Sequence, residues 1–185
     1  MKHHPLWKQL KFVTGNPNKF REAQDILGIE MERRDLAHLH EIQTTDVAEL
    51  VEHKATEAWE TLKSPVLVED SGLVFEAWNG LPGALVKWFE VSVGCEGMLK
   101  MLEPFPDRRA RAVCMVAVHD GREIVIGKGE VTGIIAQSLR GENGFGWDVI
   151  FIPDGHDRTF GEMSVGEKNT ISHRRRAFEA LRDQF

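Results

Sequence analysis

A chain of 185 residues is long enough to bury a sizeable core without staples, and short enough to expect one domain over residues 1–185. Hydrophobic residues make up 42% and charged residues 28%, the proportions of an ordinary soluble globular protein. The net charge of −6, from 23 basic and 29 acidic residues, excludes the global basic field that drives binding to nucleic-acid polymers, although local lysines can still hold a small anion.

Residues 10–14 predict a short buried strand that breaks at Gly15. The spacing of Phe20, Ala23, Ile26 and Leu27 predicts an amphipathic helix from Pro17 to about Leu27, closed by Gly28. A second strand is expected over residues 31–36. A long helix is expected from Thr44/Thr45 to about Leu62, with Val47, Leu50, Val51, Ala55 and Ala58 on one side. The apolar run 65–68 suits a strand covered on both faces. Glu69-Asp70-Ser71-Gly72 reads as an interruption of that strand, which resumes at Leu73-Val74-Phe75. A short helix around Val86 and Trp88 and another over 97–102 follow. Long strands at 110–119 and 124–136 are joined by a hairpin at Asp120-Gly121, and a helix runs from about Ile171 to Phe185. Strands interleaved with helices early, then a longer run of strands, imply an α/β fold with a mixed central sheet flanked by helices.

The N-terminus lacks the apolar core of a signal peptide and no window approaches membrane-spanning length, so a cytoplasmic protein is expected. Cys95 and Cys114, in apolar or small-residue settings, read as two buried free thiols rather than a disulfide. The adjacent His3 and His4 read as solvated residues without a role.

Several constellations can carry chemistry. Thr14-Gly15-Asn16-Pro17-Asn18-Lys19 lies between a strand and a helix, where Gly15 turns the backbone, Asn16 caps and Pro17 suits the first turn. Free N–H groups there, with Lys19, would make an anion site; the plainer reading is a well-capped helix start with a surface lysine. Alternation along a strand sends Glu69 and Asp70 to opposite faces, so one can reach a cleft while the other makes a structural bond. Glu41, in a polar loop, could join Asp70 as an oxygen ligand for Mg²⁺, although its spacing alone reads as an ordinary surface residue. Lys54 and Lys87 read by default as solvated. Phe145 and Trp147 are core aromatics or stacking faces, with Gly144 and Gly146 leaving room for a flat ligand. Glu167-Lys168-Asn169 and Ser172-His173-Arg174 supply donors. A pocket ending in Arg174 and a protonated His173 would favour a purine carrying a carbonyl at position 6.

Together these segments resemble the inosine triphosphate pyrophosphatase family, also called Ham1-like or non-standard purine NTP pyrophosphatases. The likeness runs from Thr14 to about Leu181 through T-G-N-x-x-K (14–19), V-E-D-S-G-L (68–73), L-P-G-x-x-x-K-W-F (81–89), G-F-G-W-D (144–148) and E-K-N-x-x-S-H-R (167–174). Each motif is modest; five in the family's order are specific. The resemblance implies Mg²⁺-dependent hydrolysis of ITP, dITP and XTP to the monophosphate and pyrophosphate by a homodimer. It implies an elongated α/β fold with two lobes enclosing a nucleotide cleft. On that likeness Thr14, Gly15, Asn16, Pro17, Asn18, Lys19, Lys54 and Lys87 hold the triphosphate, and Glu41 and Asp70 bind Mg²⁺ or position water. Ser71 contacts phosphate or sugar, and Phe145, Gly146, Trp147, Asp148, Lys168, His173 and Arg174 enclose the base. Little motif surrounds Glu41 or Lys54.

The expected chemistry is attack of water on the α-phosphorus, with Asp70 as the catalytic carboxylate and Arg174 reading the base edge. Three other readings stay open on residues alone. They are a catalytically silent nucleotide sensor, a Maf-like pyrophosphatase of modified pyrimidines, and an interaction module using exposed Trp59 and Trp78.

Overall fold

The computed structural model describes residues 5–185, so His3 and His4 lie outside the described residues. Among these, seven strands form one mixed sheet, flanked by six α-helices. The strands are β1 (Lys11–Val13), β2 (Glu32–Arg34), β3 (Val66–Phe75), β4 (Pro82–Gly83), β5 (Arg109–His119), β6 (Ile124–Ile135) and β7 (Phe151–Pro153). The helices are α1 (Pro17–Leu27), α2 (Val47–Leu62), α3 (Val86–Ser92), α4 (Gly94–Leu102), α5 (Val165–Ile171) and α6 (His173–Arg182). The strand order is β2-β1-β3-β5-β6-β7, with β4 also on β3. β1 runs parallel to both β2 and β3, and the remaining pairs are antiparallel. This is the mixed α/β architecture expected from the sequence. No helix among the described residues is long and apolar enough to cross a membrane.

Three local expectations change. β3 is unbroken for ten residues, because Glu69, Asp70, Ser71 and Gly72 keep their register against β5, pairing Val116, Met115, Cys114 and Val113. A strand tolerates polar side chains when a partner strand holds its backbone and other groups pair with those side chains. The long helix α2 begins later than predicted, because Asp46, not Thr44 or Thr45, accepts the Ala48 N–H as N-cap. The second strand is only three residues long, and its exposed Glu32, Arg33 and Arg34 blunt the sheet edge with charge.

Alternation along β3 divides the core. Val66, Val68 and Val74 face α2, in a cluster with Val47, Val51, Ala55 and Ala58. Leu67 faces the opposite side, with Ala23 and Leu27 of α1 and Ala177, Phe178 and Leu181 of α6. Leu73 and Phe75 share that second face but belong to another cluster, with Val86, Met98 and Leu102 from α3 and α4 and with Trp147, Phe151 and Phe160. Two lobes therefore sit end to end along one face of the sheet, and Glu69 and Ser71 fall at the seam. Opposite the same residues the sheet edge is notched. β1 ends at Val13, paired with Val68, and β4 resumes only at Gly83, paired with Leu73. The side chains of Asp70 and Ser71 are thus reachable from beyond the carboxyl end of β1, where ligands of open α/β sheets enter.

α6 can lie this close to β6 because β6 carries glycine under it. A Cβ on Gly129 would come 1.9 Å from the His173 carbonyl oxygen, and one on Gly127 2.3 Å from that of Ala177. Gly129→Ala is expected to push the start of α6 outward and to lower stability by about 1–3 kcal/mol. A denaturant-unfolding midpoint equal to that of the wild type would refute this reading.

Candidate active site

The loop after β1 builds one half of the site. Asn16 caps α1 through its side-chain oxygen, which accepts from Asn18 N at 2.9 Å and Lys19 N at 3.3 Å, while Thr14 Oγ1 accepts from Asn16 N at 3.1 Å. Pro17 at the first position has no N–H to offer. The expected free first-turn donors are therefore already satisfied, and the positive character of this loop comes mainly from Lys19. Its ammonium lies 3.0 Å from Asp70 Oδ1 and 3.6 Å from Glu69 Oε2. Lys54, one face of α2 away, reaches Asp70 Oδ2 at 2.6 Å. Burial alone would raise the Asp70 carboxyl, but the Lys19 and Lys54 charges hold it below the ordinary aspartate range. Asp70 is therefore ionised and clamped at both oxygens.

Glu69 points the other way, as alternation requires, into the seam between the lobes. Burial would raise it, yet Arg174 and Lys19 outweigh burial and bring it down to about 2. Ser71 Oγ donates to Glu69 Oε1 at 2.6 Å and also accepts from Arg174 Nη2 at 3.1 Å. Nearby, the Cys114 thiol lies 3.3 Å from Glu69, and burial beside this carboxylate keeps it protonated. Cys95, read from the sequence as buried, is half-buried; both cysteines are free.

The second half of the site is the aromatic segment at Phe145–Asp148. The Gly146–Val149 segment forms a single 3₁₀ turn, and Asp148 Oδ2 accepts from Phe145 N at 2.8 Å, so the two aromatics are fixed from within. Gly146 adopts a φ of 61°, a conformation that favours glycine. Phe145 is half-buried; Trp147 is buried and packs 5.2 Å from the His173 ring. Lys168 ties Asp148 (2.6 Å) to Glu22 of α1 (3.0 Å) and lies 4.8 Å over the Phe145 ring. Arg174 is also fully buried. One of its terminal nitrogens bonds Glu22, and the other donates to Glu69 Oε1 at 3.2 Å and to Ser71.

Two features of this half correct the sequence reading. Arg174 does not present a full fork to a base, because its terminal nitrogens are engaged; only Nε is buried without a partner. His173 is not protonated. Burial, then the charges of Arg174, Lys168 and Lys19, push its pKa well below the usual histidine range, and both ring nitrogens lack partners.

The two halves meet in space. The narrower cavity, about 560 Å³ including its open mouth, is lined by Phe145, Trp147, Asp148, His173 and Arg174. The wider basin, about 1740 Å³ measured the same way, is lined by Thr14, Gly15, Pro17, Glu41, Lys54 and Glu69. Asn16, Lys19, Asp70 and Lys87 line both. Of the expected residues, Ser71 and Gly146 also line the narrower cavity. Lys168 lies behind the Phe145 ring, and Asn18 serves the cap rather than the wall.

Glu41 is paired with Lys87 at 2.9 Å, not with Asp70, in an exposed and readily broken ion pair. Among the described residues no group of three or more His, Cys, Asp or Glu side chains is arranged to hold a metal ion. Of the four carboxylate residues bordering the basin, Asp35, Glu41, Glu69 and Asp70, Glu69 is committed to Arg174; Glu41 and Asp70 fit a hard cation that takes most of its oxygens from phosphate and water, and do not fit a preformed zinc-type cage. Glu22 and Glu90 were not singled out from the sequence. Glu22 looks like an ordinary acid on an amphipathic helix, and Glu90 carries no motif. Trp59 and Trp78 prove half-buried, stacked on His119 and packed between Phe75 and Phe89, which removes the basis for an interaction module.

A lysine-lined acidic basin opening onto an aromatic slot defines a site for a flat, phosphorylated small molecule. The Ham1 family model matches residues 10–184, and the chain belongs to that family. It is 44% identical over 179 residues to a dITP/XTP pyrophosphatase of Methanopyrus kandleri, covering 94% of each chain. It is 42% identical to the inosine triphosphate pyrophosphatase of Saccharomyces cerevisiae, over 95% of this chain and 94% of that one. The solved structure of a HAM1 protein from Coxiella burnetii superposes with a TM-score of 0.82 at 30% identity, covering 96% of this chain and 98% of that one.

The lowered Glu69 pKa is also a stability statement. A depressed carboxyl contributes stability that is fully present above its unfolded value, near 4.5, and lost as pH falls toward about 2. Glu69→Gln is expected to remove on the order of 2–3 kcal/mol at neutral pH and to flatten stability between those pH values. Urea unfolding across that acid range checks it; a variant with the wild-type slope would contradict the assignment.

Proposed function

We propose that residues 1–185 act as one catalytic domain that hydrolyses non-standard purine nucleoside triphosphates (ITP, dITP and XTP) to the monophosphate and pyrophosphate with Mg²⁺. Such an activity keeps deaminated purines out of DNA and RNA. The observation that carries this reading is the shared wall of Asn16, Lys19, Asp70 and Lys87 between the lysine-lined basin and the aromatic slot. A nucleotide with its base in the slot would lay its phosphates across these residues.

Water attacks the α-phosphorus, the bond to the β-bridging oxygen breaks, and pyrophosphate leaves with that oxygen. Lys19, Lys54 and Lys87 are each tied to a carboxylate, and a triphosphate competes for all three. As the lysines turn to phosphate, the Asp70 oxygens lose the charges that depress their basicity. Asp70 then orients the attacking water and takes its proton. Mg²⁺, which Asp70 and Glu41 would hold together with phosphate oxygens, would supply charge neutralisation on the anhydride and would acidify the attacking water, offsetting its own lowering of Asp70 basicity. In the slot, Phe145 and Trp147 stack the base. Arg174 Nε is a donor that a 6-carbonyl satisfies and a 6-amino group does not, leaving ATP with a mismatch of about 1–3 kcal/mol.

The reading extends to a homodimer in a reducing, cytoplasmic setting. Trp88, Val91 and Val93 are exposed apolar residues at 53%, 73% and 44%, and a second copy of the chain would cover them. Val91→Glu is then expected to sediment as a monomer where the wild type sediments as a dimer; identical sedimentation would remove this patch from consideration.

The catalytic test is a pyrophosphate-release assay over a panel of nucleoside triphosphates. Wild-type protein should split ITP far faster than ATP, and EDTA should abolish release. Asp70→Asn should bind ITP yet lose at least about a hundredfold in turnover. Near-normal turnover in that variant, or equal hydrolysis of ATP and ITP by the wild type, would exclude the mechanism.

A further inference from the structure

Glu90, on α3, has no part in the assignment above. It lines the same slot as Phe145, Trp147, His173 and Arg174. Its Oε1 is buried without a hydrogen-bond partner, and a Cβ on Gly146 would lie only 2.6 Å from it. The carboxyl is thus pressed against the backbone of the aromatic segment, with an acceptor left unmade. A buried acceptor without a donor is costly, so its presence in a ligand slot points to a donor brought by the ligand.

The other unpartnered polar atoms in the slot lining are Arg174 Nε and the two ring nitrogens of His173. The slot therefore offers one group that can only donate, one that can only accept when ionised, and one neutral ring that can do either. A 6-oxopurine presents the matching pair on adjacent atoms, an accepting O6 and a donating N1–H. A 6-aminopurine presents the reverse, a donating amino group and an accepting N1. We propose that Glu90 is a specificity residue of this chain, its carboxylate accepting the N1–H of a 6-oxopurine while Arg174 donates to O6.

This inference rests on the pyrophosphatase reading and adds a proton dependence to it. Burial and the charge of Asp148, from the turn below, push Glu90 up to about 6, against Lys19 of α1 and the Trp147 backbone N–H. Asp70, Lys87, His173 and Arg174 also line the slot, and Cys95 of α4 lies beside Glu90 and Asp148, where burial raises its thiol to about 11, so it stays neutral. Above pH 6 the ionised carboxylate accepts from N1–H. Below it the neutral acid offers an O–H that suits adenine N1 instead. Selectivity for the 6-oxo base should therefore fall as pH falls through 6.

The test is the ratio of kcat/KM for ITP over ATP between about pH 5 and about pH 7.5, in which titration of the shared triphosphate cancels. In the wild type this ratio should rise with pH. Glu90→Leu should hold it flat and about tenfold lower at neutral pH. Glu90→Gln, which keeps an acceptor oxygen but does not titrate, should give an intermediate ratio that is flat with pH. A wild-type ratio unchanged across this range, or a Glu90→Leu ratio equal to the wild type, overturns the inference while leaving the pyrophosphatase reading intact. A wild type that does not hydrolyse ITP overturns both.

Discussion

The buried guanidinium of Arg174 is the contact on which fold and site both depend. It joins α6 to α1 through Glu22 and to β3 through Glu69 and Ser71, with only about 2% of its side chain exposed. Lys168 extends the network from α5 to Glu22 and to Asp148 beneath the aromatic turn. Each buried charge is expensive alone, and the arrangement is tolerable only when every partner is docked. Removing one member by truncation would strand the others and cost about 3–5 kcal/mol. The wall of the slot is therefore not decoration on a finished scaffold. It assembles only when α1, β3 and α6 come together, and the glycines of β6 set how closely α6 can approach.

The notch in the sheet edge explains how two adjacent carboxylates take different duties. A paired edge would flank residues 69–72 with another backbone; here the gap between β1 and β4 leaves the side chains of Asp70 and Ser71 open to the cavity beside Lys19. Alternation then sends Glu69 into the seam, where the buried Arg174 holds it, and Asp70 toward the basin, where two lysines that also line the basin hold it. The lysine partners of Asp70 are ones a polyanion can take away. Glu69 keeps its arginine whatever occupies the basin, because that arginine is also held by Glu22.

Much of this was legible from residue patterns. The helix over Pro17–Leu27, the long hairpin strands and the mixed sheet follow from periodicity and turn residues. The opposite facing of Glu69 and Asp70 follows from the two-residue repeat of a strand. The unbroken course of β3 was not legible, because four polar or flexible residues look like a loop until their partners are known. Helix α5 went unassigned although Ser164-x-x-Glu167 is a capping box, with Ser164 accepting from Glu167 N and Glu167 accepting from Ser164 N. The role of Glu22 depends on contacts across more than a hundred residues of sequence, and the neutral state of His173 depends first on burial; no local pattern encodes either. Glu90 was hidden for the same reason, since its meaning comes from Gly146 and Asp148 beyond it in the fold.

The neutrality of His173 changes what can discriminate between bases. A neutral imidazole donates from one nitrogen and accepts at the other, and exchanging tautomers lets it suit either an oxo or an amino edge. A protonated ring would have been donor-only, as Arg174 is. In the proposed reading, discrimination falls on groups whose role cannot be reversed at a given pH, because only these leave an unpaired buried atom when the wrong base enters. Arg174 meets that condition through a single nitrogen, its other donors being committed to carboxylates. The cluster of basic residues that looks in the sequence like a broad donor surface thus narrows to one directed N–H. The buried carboxylates that consume the rest also hold that one in place.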